Sequence, residues 1–98
     1  MDQLSHKDAA NLIREILQYG SVVFSKHARE QMRSRGYHAQ DVYHILKHGE
    51  VKKIEENPKG QPKYHVHGED IEGHKGIVVT AIANMGRLII VTVLGGVK

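Results

Sequence analysis

One short segment, residues 25–37, holds the side chains whose types and spacing could do chemistry. Four cationic side chains stand there against a single acid, Glu30, so the segment alone accounts for the chain's formal net charge of +3. The cations are Lys26, Arg29, Arg33 and Arg35. The segment also contains His27, and histidine can exchange a proton near neutral pH while arginine can hold a phosphate. This combination indicates a nucleic-acid site, with cleavage of the bound strand as one possible outcome.

Helical spacing divides these side chains into two rows. Arg29 and Arg33 are four residues apart and share one face, while His27, Gln31 and Arg35 form a second row with the same spacing. An RNase that needs no metal uses the ribose 2′-hydroxyl as its nucleophile, and it requires a base, an acid and cations for the charged phosphorane. Histidine and arginine can fill these roles. The alternative is a solvated basic helix in which His27 is only a packing residue.

Other histidines offer a different chemistry on the second half of the chain. His65 and His67 form an H-x-H pair on one strand face, with His74 nearby in sequence, and such a pair can bind zinc. Two ligands do not make a site, and the chain has no cysteine to complete one. We therefore predict that the protein holds no metal and no cofactor, and we keep a zinc site at His65 and His67 as an alternative hypothesis.

Local signals place these residues on three helices that are followed by strands. Helices are predicted from Ser5 to Gly20, from Ser25 to about Arg35, and from about Ala39 to His48, because polar caps precede apolar repeats of helical period. A short strand is expected at 22–24, and from Glu50 onward the apolar period becomes two. The sequence thus predicts an α+β fold, with the helices packed on a roughly four-stranded antiparallel sheet.

Length and composition indicate the number of domains, the charge of a partner and the cellular compartment. The chain of 98 residues suits one domain spanning 1–98, and its sequence pI near 9.3 favours an anionic partner. The absence of cysteine fits a reducing cytoplasm. No apolar run is long enough to span a bilayer, so we expect a cytoplasmic protein with no membrane contact.

The string from Phe24 to Tyr37, with its S-x-H-A-x-x-x-M-x-x-R-G core, resembles the signature of a small bacterial family of domains of unknown function. The likeness continues through Asp41-Val42, 46–51 and the closing strand, and it covers about 22–94, leaving the first helix (1–20) outside. That family is similar to the RelE, ParE and BrnT-like toxins, many of which are ribonucleases. The resemblance implies a RelE/BrnT-like toxin fold and a cognate antitoxin. The chain differs from the pattern at Gln31, where arginine is common, and at Leu94, where an aromatic residue is common.

We therefore expect a metal-independent endoribonuclease, the toxin of a type II toxin–antitoxin pair. His27 is the predicted general acid or base, Arg35 the group that stabilises the phosphorane, and Arg29, Arg33 and Arg87 the residues that hold flanking phosphates. Arg87 and Thr92 lie at odd spacing on the last strand, so they should point to opposite faces unless a bulge intervenes. The alternative function is a non-catalytic nucleic-acid- or protein-binding module, and a homodimer stays open for either.

Overall fold

A computed structural model describes residues 4–83 and 86–95 of the chain. The elements in chain order are α1 (His6–Tyr19), β1 (Ser21–Phe24), α2 (Lys26–Arg35), α3 (Ala39–His48), β2 (Glu50–Glu55), β3 (Lys63–Glu69), β4 (Lys75–Ala83) and β5 (Arg87–Gly95). The predicted helices agree with these bounds to within one or two residues. The sequence Asn84-Met85-Gly86 also predicts a tight turn, and this turn begins outside the described residues.

The described strands form one five-stranded sheet in the order β1-β5-β4-β3-β2. The prediction of an α+β fold is confirmed, but the prediction of four antiparallel strands is wrong. The strands β2 to β5 are antiparallel as expected, whereas β1 joins the sheet as a fifth strand that runs parallel to β5, from Ser21 opposite Arg87 to Phe24 opposite Ile90. A parallel neighbour needs a long crossover, and here α2, α3 and three strands supply it.

Helix ends follow the capping chemistry of the sequence. The hydroxyl of Ser5 accepts a hydrogen bond from the N–H of Asp8 at 3.0 Å and begins α1. The N–H of Gly20 donates to the Ile16 carbonyl at 2.7 Å and ends it. At the start of α3, the Asp41 carboxylate accepts from the backbone N–H of His38 at 3.0 Å, which satisfies a donor that the helix leaves unpaired.

The core lies between the helices and one face of the sheet. Ile13 of α1, Ile45 of α3 and Ala28 of α2 are almost fully buried against Val66 and Leu88 of the sheet. Since α1 contributes to this cluster, the segment outside the resemblance packs into the same core as the rest. No helix among the described residues has both the length and the apolar character needed to cross a lipid bilayer.

Candidate functional site

The start of α2 is fastened to β5 by Ser25. Its backbone N–H donates to the Ile90 carbonyl at 3.0 Å, and its hydroxyl donates to the Val91 carbonyl at 3.1 Å. The same hydroxyl accepts from the N–H of Ala28 at 3.0 Å, so it also caps the helix. One serine therefore ends the pairing of β1, begins α2 and fixes the helix to the sheet.

The middle of α2 is held to the same strand by Gln31. The Gln31 side-chain oxygen accepts a hydrogen bond from the N–H of Val93 at 2.8 Å. At this level of β5 the strand β1 has already ended, so the glutamine supplies an acceptor where a neighbouring strand would have done so. With Ala28 fully buried beneath it, α2 lies along the edge of β5.

The end of α2 is set by Gly36, which has a φ of 71° and lies in the left-handed region. The backbone N–H of Tyr37 donates to the Met32 carbonyl at 2.8 Å across this turn. The chain thereby reverses sharply into α3, and the two helices enclose a shallow pocket at their junction.

Arg29 and Arg33 line this pocket, whose volume is about 450 Å³. They are joined there by Met32 of the same helix and by Tyr37 and His38 from the connection to α3. The predicted Arg29/Arg33 face thus becomes one cationic wall above an apolar floor. Neither Tyr37 nor His38 was predicted to belong to the site, because their position depends on the angle between the two helices rather than on local spacing.

His27 and Arg35 lie at opposite ends of α2, about 12 Å apart along its axis at a rise of 1.5 Å per residue. The His27 side chain is exposed on the first turn. Arg35 is half-buried on the last turn, and its Nε atom is buried without a hydrogen-bond partner among the described residues. The fold gives them a common helix and places them about two turns apart on it.

The cations of α2 have no acidic partners within residues 4–83 and 86–95. The ion pairs found there are formed by Lys52 with Glu50, by His65 with Glu55, and by His74 with Asp70 and Glu72. None of them involves a side chain of α2. The positive charge of this helix is therefore free to attract a phosphate.

Arg87 lies apart from the other predicted residues, exposed at the beginning of β5. A bulge does intervene further along this strand, because Val79 of β4 pairs with Thr92 while Thr80 pairs with Ile90, which leaves Val91 as the extra residue. The bulge places Arg87 and Thr92 on the same face of the sheet. That face is opposite the one formed by Leu88, Ile90 and Val93, which pack in the core.

Of the two histidines of β3, His65 is engaged by a neighbouring carboxylate, whereas His67 is exposed. His65 lies on the face opposite the buried Tyr64 and Val66, and its Nε2 is 3.0 Å from a carboxylate oxygen of Glu55. This hydrogen bond lowers the pKa of Glu55. No group of three or more histidine, aspartate or glutamate side chains in the described part of the chain is arranged to hold a metal ion.

The sequence analysis did not identify one buried carboxylate near the pocket, which lies between β3 and β4 in a polar, glycine-containing segment typical of a solvated loop. Asp70 is only 2% exposed, and one of its oxygens accepts from the N–H groups of Glu72 and His74 at 2.9 and 3.0 Å. Burial favours the neutral acid, but these donors and the neighbouring Tyr37 hydroxyl outweigh it and lower the pKa of Asp70. The Tyr37 hydroxyl is buried beside this carboxylate, although its geometry falls short of a full hydrogen bond.

Tyr37 therefore connects the pocket to the β3–β4 turn. Burial, followed by the interaction of the hydroxyl with the Asp70 carboxylate, raises the pKa of the Tyr37 phenol well above its ordinary value. Asp41 reinforces the connection, because its second carboxylate oxygen accepts from the N–H of Ile71 at 3.3 Å. The wall of the pocket that faces α2 is thus held against the β3–β4 turn by the Asp41 hydrogen bond and by the packing of Tyr37 beside Asp70.

The sequence model of one family, described as a domain of unknown function, matches residues 24–94. The match begins at the last residue of β1 and includes α2, α3 and the strands that follow. No curated protein matches the chain significantly, and neither does any solved structure.

Proposed function

The chain belongs to the DUF4258 family of domains of unknown function, and we propose that it is a metal-independent endoribonuclease that binds RNA through α2. The observation that carries this proposal is the pair Arg29 and Arg33, which line one pocket on a helix whose cations have no acidic partner among the described residues. Unpaired arginines on a fixed helix are suited to bind successive phosphates.

The proposed reaction is attack by a ribose 2′-hydroxyl on the adjacent phosphorus. The bond from the 2′-oxygen to phosphorus forms, the bond to the 5′-oxygen breaks, and the products are a 2′,3′-cyclic phosphate and a free 5′-hydroxyl. His27, exposed at the start of α2, accepts the 2′ proton or donates one to the leaving oxygen. Arg35 stabilises the phosphorane, and Arg29 and Arg33 hold neighbouring phosphates. Arg87, which lies apart at the beginning of β5, holds a phosphate further along the strand.

The likeness to RelE/BrnT-like toxins extends this proposal to a biological setting. The protein is then the toxin of a type II toxin–antitoxin pair, acting on RNA in the cytoplasm. A basic helix is also a surface that an acidic antitoxin segment can cover, because opposite charges steer and orient the two chains.

A second candidate function is a non-catalytic module that binds nucleic acid or protein through the same helix. It is favoured by the separation of His27 and Arg35 at opposite ends of α2, since a general acid–base group and the group that stabilises its phosphorane must both reach one phosphate. Binding without cleavage distinguishes this candidate from the first.

The test is a pair of measurements on a labelled single-stranded RNA, namely its affinity at several salt concentrations and its cleavage. We expect Arg29→Ala together with Arg33→Ala to weaken binding about tenfold or more and to reduce the salt slope by about 0.7 for each lost phosphate contact. Lys53→Ala, which removes an exposed cation from β2, is the matched control and should change binding little.

Cleavage is tested with His27→Ala and Arg35→Ala. We expect His27→Ala to keep RNA binding and to lose at least about 100-fold in cleavage rate, as is typical when a general acid or base is removed. If the native protein binds RNA but does not cut it, the second candidate replaces the first. If the native protein binds no RNA at low salt, the ribonuclease is wrong, and the second candidate is reduced to a module that binds protein through α2.

A further inference from the structure

The two edges of the sheet are built very differently. The edge strand β2 carries the charged residues Glu50, Lys52, Lys53 and Glu55. It also has a bulge, because Val51 pairs with Val66 and Lys53 with His65, which leaves Lys52 as the extra residue. Charged side chains and bulges are the usual means by which an edge strand is kept from pairing with another chain.

The other edge strand, β1, has none of these protections. Its sequence, Ser-Val-Val-Phe, contains no charge and no proline, and its register with β5 is regular from end to end. The N–H groups of Ser21 and Ser25 donate to carbonyls on the β5 side at 2.8 and 3.0 Å. Since backbone groups alternate along a strand, those of Val22 and Phe24 point to the outer edge, where no strand of the described residues pairs with them.

A cavity of about 660 Å³ lies beside this edge. Val22 of β1 and Leu17 of α1 contribute apolar surface to it, and Tyr43 of α3 contributes its ring, which also contacts Phe24 at a centroid distance of 6.1 Å. An unpaired strand edge with an adjacent apolar cavity is the arrangement by which proteins bind an extended peptide as an additional strand.

The charges around the cavity are all of one sign. Arg14 and Lys47 line it, and no acidic side chain of the described residues does. Arg14 is held in place by hydrogen bonds to the carbonyls of Lys47 and Gly49 at 2.9 and 3.1 Å. The Lys47 ammonium forms no ion pair within the described ranges. A second copy pairing through β1 would bring the same cations together, so the charge favours an acidic occupant.

We propose that the outer edge of β1 binds an extended segment of an acidic partner protein. The segment pairs with the backbone of Val22 and Phe24, places an apolar side chain in the cavity, and places a carboxylate next to Lys47. This surface is separate from α2, and the proposal holds whether or not α2 binds RNA.

The test uses a designed peptide, an acetylated nonapeptide in which leucine and glutamate alternate on one face and threonine occupies the other. We expect saturable binding to the full chain that shifts the amide NMR signals of Val22 and Phe24. The same peptide with lysine in place of glutamate should bind at least about tenfold more weakly, because it meets Arg14 and Lys47 with like charge.

Two variants test whether the peptide binds at the outer edge of β1 and next to Lys47. Val22→Pro removes an N–H that points outward, so it spares the pairing with β5, and it should weaken peptide binding at least about tenfold while RNA binding stays unchanged. Lys47→Glu, which leaves the strand intact, should also weaken binding about tenfold, whereas Lys53→Glu on the opposite edge should not.

Several results would overturn the proposal. They are an absence of saturable binding, equal affinity for the lysine peptide, or amide shifts at β2 in place of β1. A concentration-dependent dimer in which the Val22 and Phe24 amides become protected would show that a second copy of the chain occupies this edge.

Discussion

Replacing Gln31 with alanine removes the only side-chain acceptor seen for the backbone N–H of Val93 within the described residues. The Val93 side chain is fully buried, and a buried donor left unpaired costs about 1–3 kcal/mol. Gln31 itself is half-buried, so water can reach part of the vacated space and the lower half of this range applies. We therefore expect the free energy of unfolding to fall by about 1–2 kcal/mol, which corresponds to a fall in Tm of roughly 4–16 °C for a domain of this size.

The assay is urea unfolding of the wild type and of Gln31→Ala, with matched thermal scans. Gln31→Glu keeps an acceptor oxygen at the same place and should retain most of the stability at neutral pH. Glu30→Ala alters the neighbouring exposed position and should stay within about 0.5 kcal/mol of the wild type. If Gln31→Ala unfolds within that same margin, the glutamine does not fasten α2 to β5 and the account of how this helix is positioned is wrong.

Two further perturbations follow from the buried carboxylate and the helix end. Asp70→Ala leaves the N–H groups of Glu72 and His74 without their acceptor and should cost about 2–3 kcal/mol in urea unfolding, whereas Asp70→Asn keeps an acceptor and should cost less. Because the pKa of Asp70 is lowered in the folded state, the stabilisation from its charge is present above about pH 4 and is lost as the pH falls further. The gap between wild type and Asp70→Asn should therefore narrow in acid, and a constant gap would contradict this. Gly36→Ala forces a side chain into a backbone with φ of 71° and should lower stability by about 1 kcal/mol in thermal scans, with no change expected from the exposed Ser34→Ala.

The helices could be predicted from the sequence because their signals are local. Ser5, Ser25 and Gly36 cap or end helices through contacts within four residues, and the apolar repeats between them have the period of an amphipathic helix. The strands β2 to β5 could be predicted equally well, since each pairs with its neighbour along the chain.

The place of β1 in the sheet could not be predicted in the same way. The strand itself was expected at 22–24, but its partner, β5, lies more than 60 residues further along the chain, and nothing in three apolar residues specifies a parallel register with that strand. The bulge at Val91 was considered only as an alternative in the sequence, because alternation along a strand does not locate an extra residue until the pairing is known.

The candidate site was predictable in its residues but not in its geometry. The spacing of Arg29 and Arg33 indicated a common face, and the fold turns that face into a pocket wall. The buried Asp70 and the hydroxyl of Tyr37 next to it depend on the packing of the β3–β4 turn against the junction of two helices. A polar residue in a glycine-rich segment carries no local signal that it is buried.

The parallel pairing of β1 with β5 also has a consequence for the order of folding. The hydrogen bond from the Ser25 hydroxyl to the Val91 carbonyl joins residues 66 positions apart. It therefore closes a long loop, and closing such a loop costs chain entropy before the contact can stabilise the fold. During synthesis β1 emerges early but has no partner until β5 has left the ribosome. The β3–β4 and β4–β5 hairpins can form as soon as they emerge, and the five-stranded sheet is completed only when β1 docks against β5.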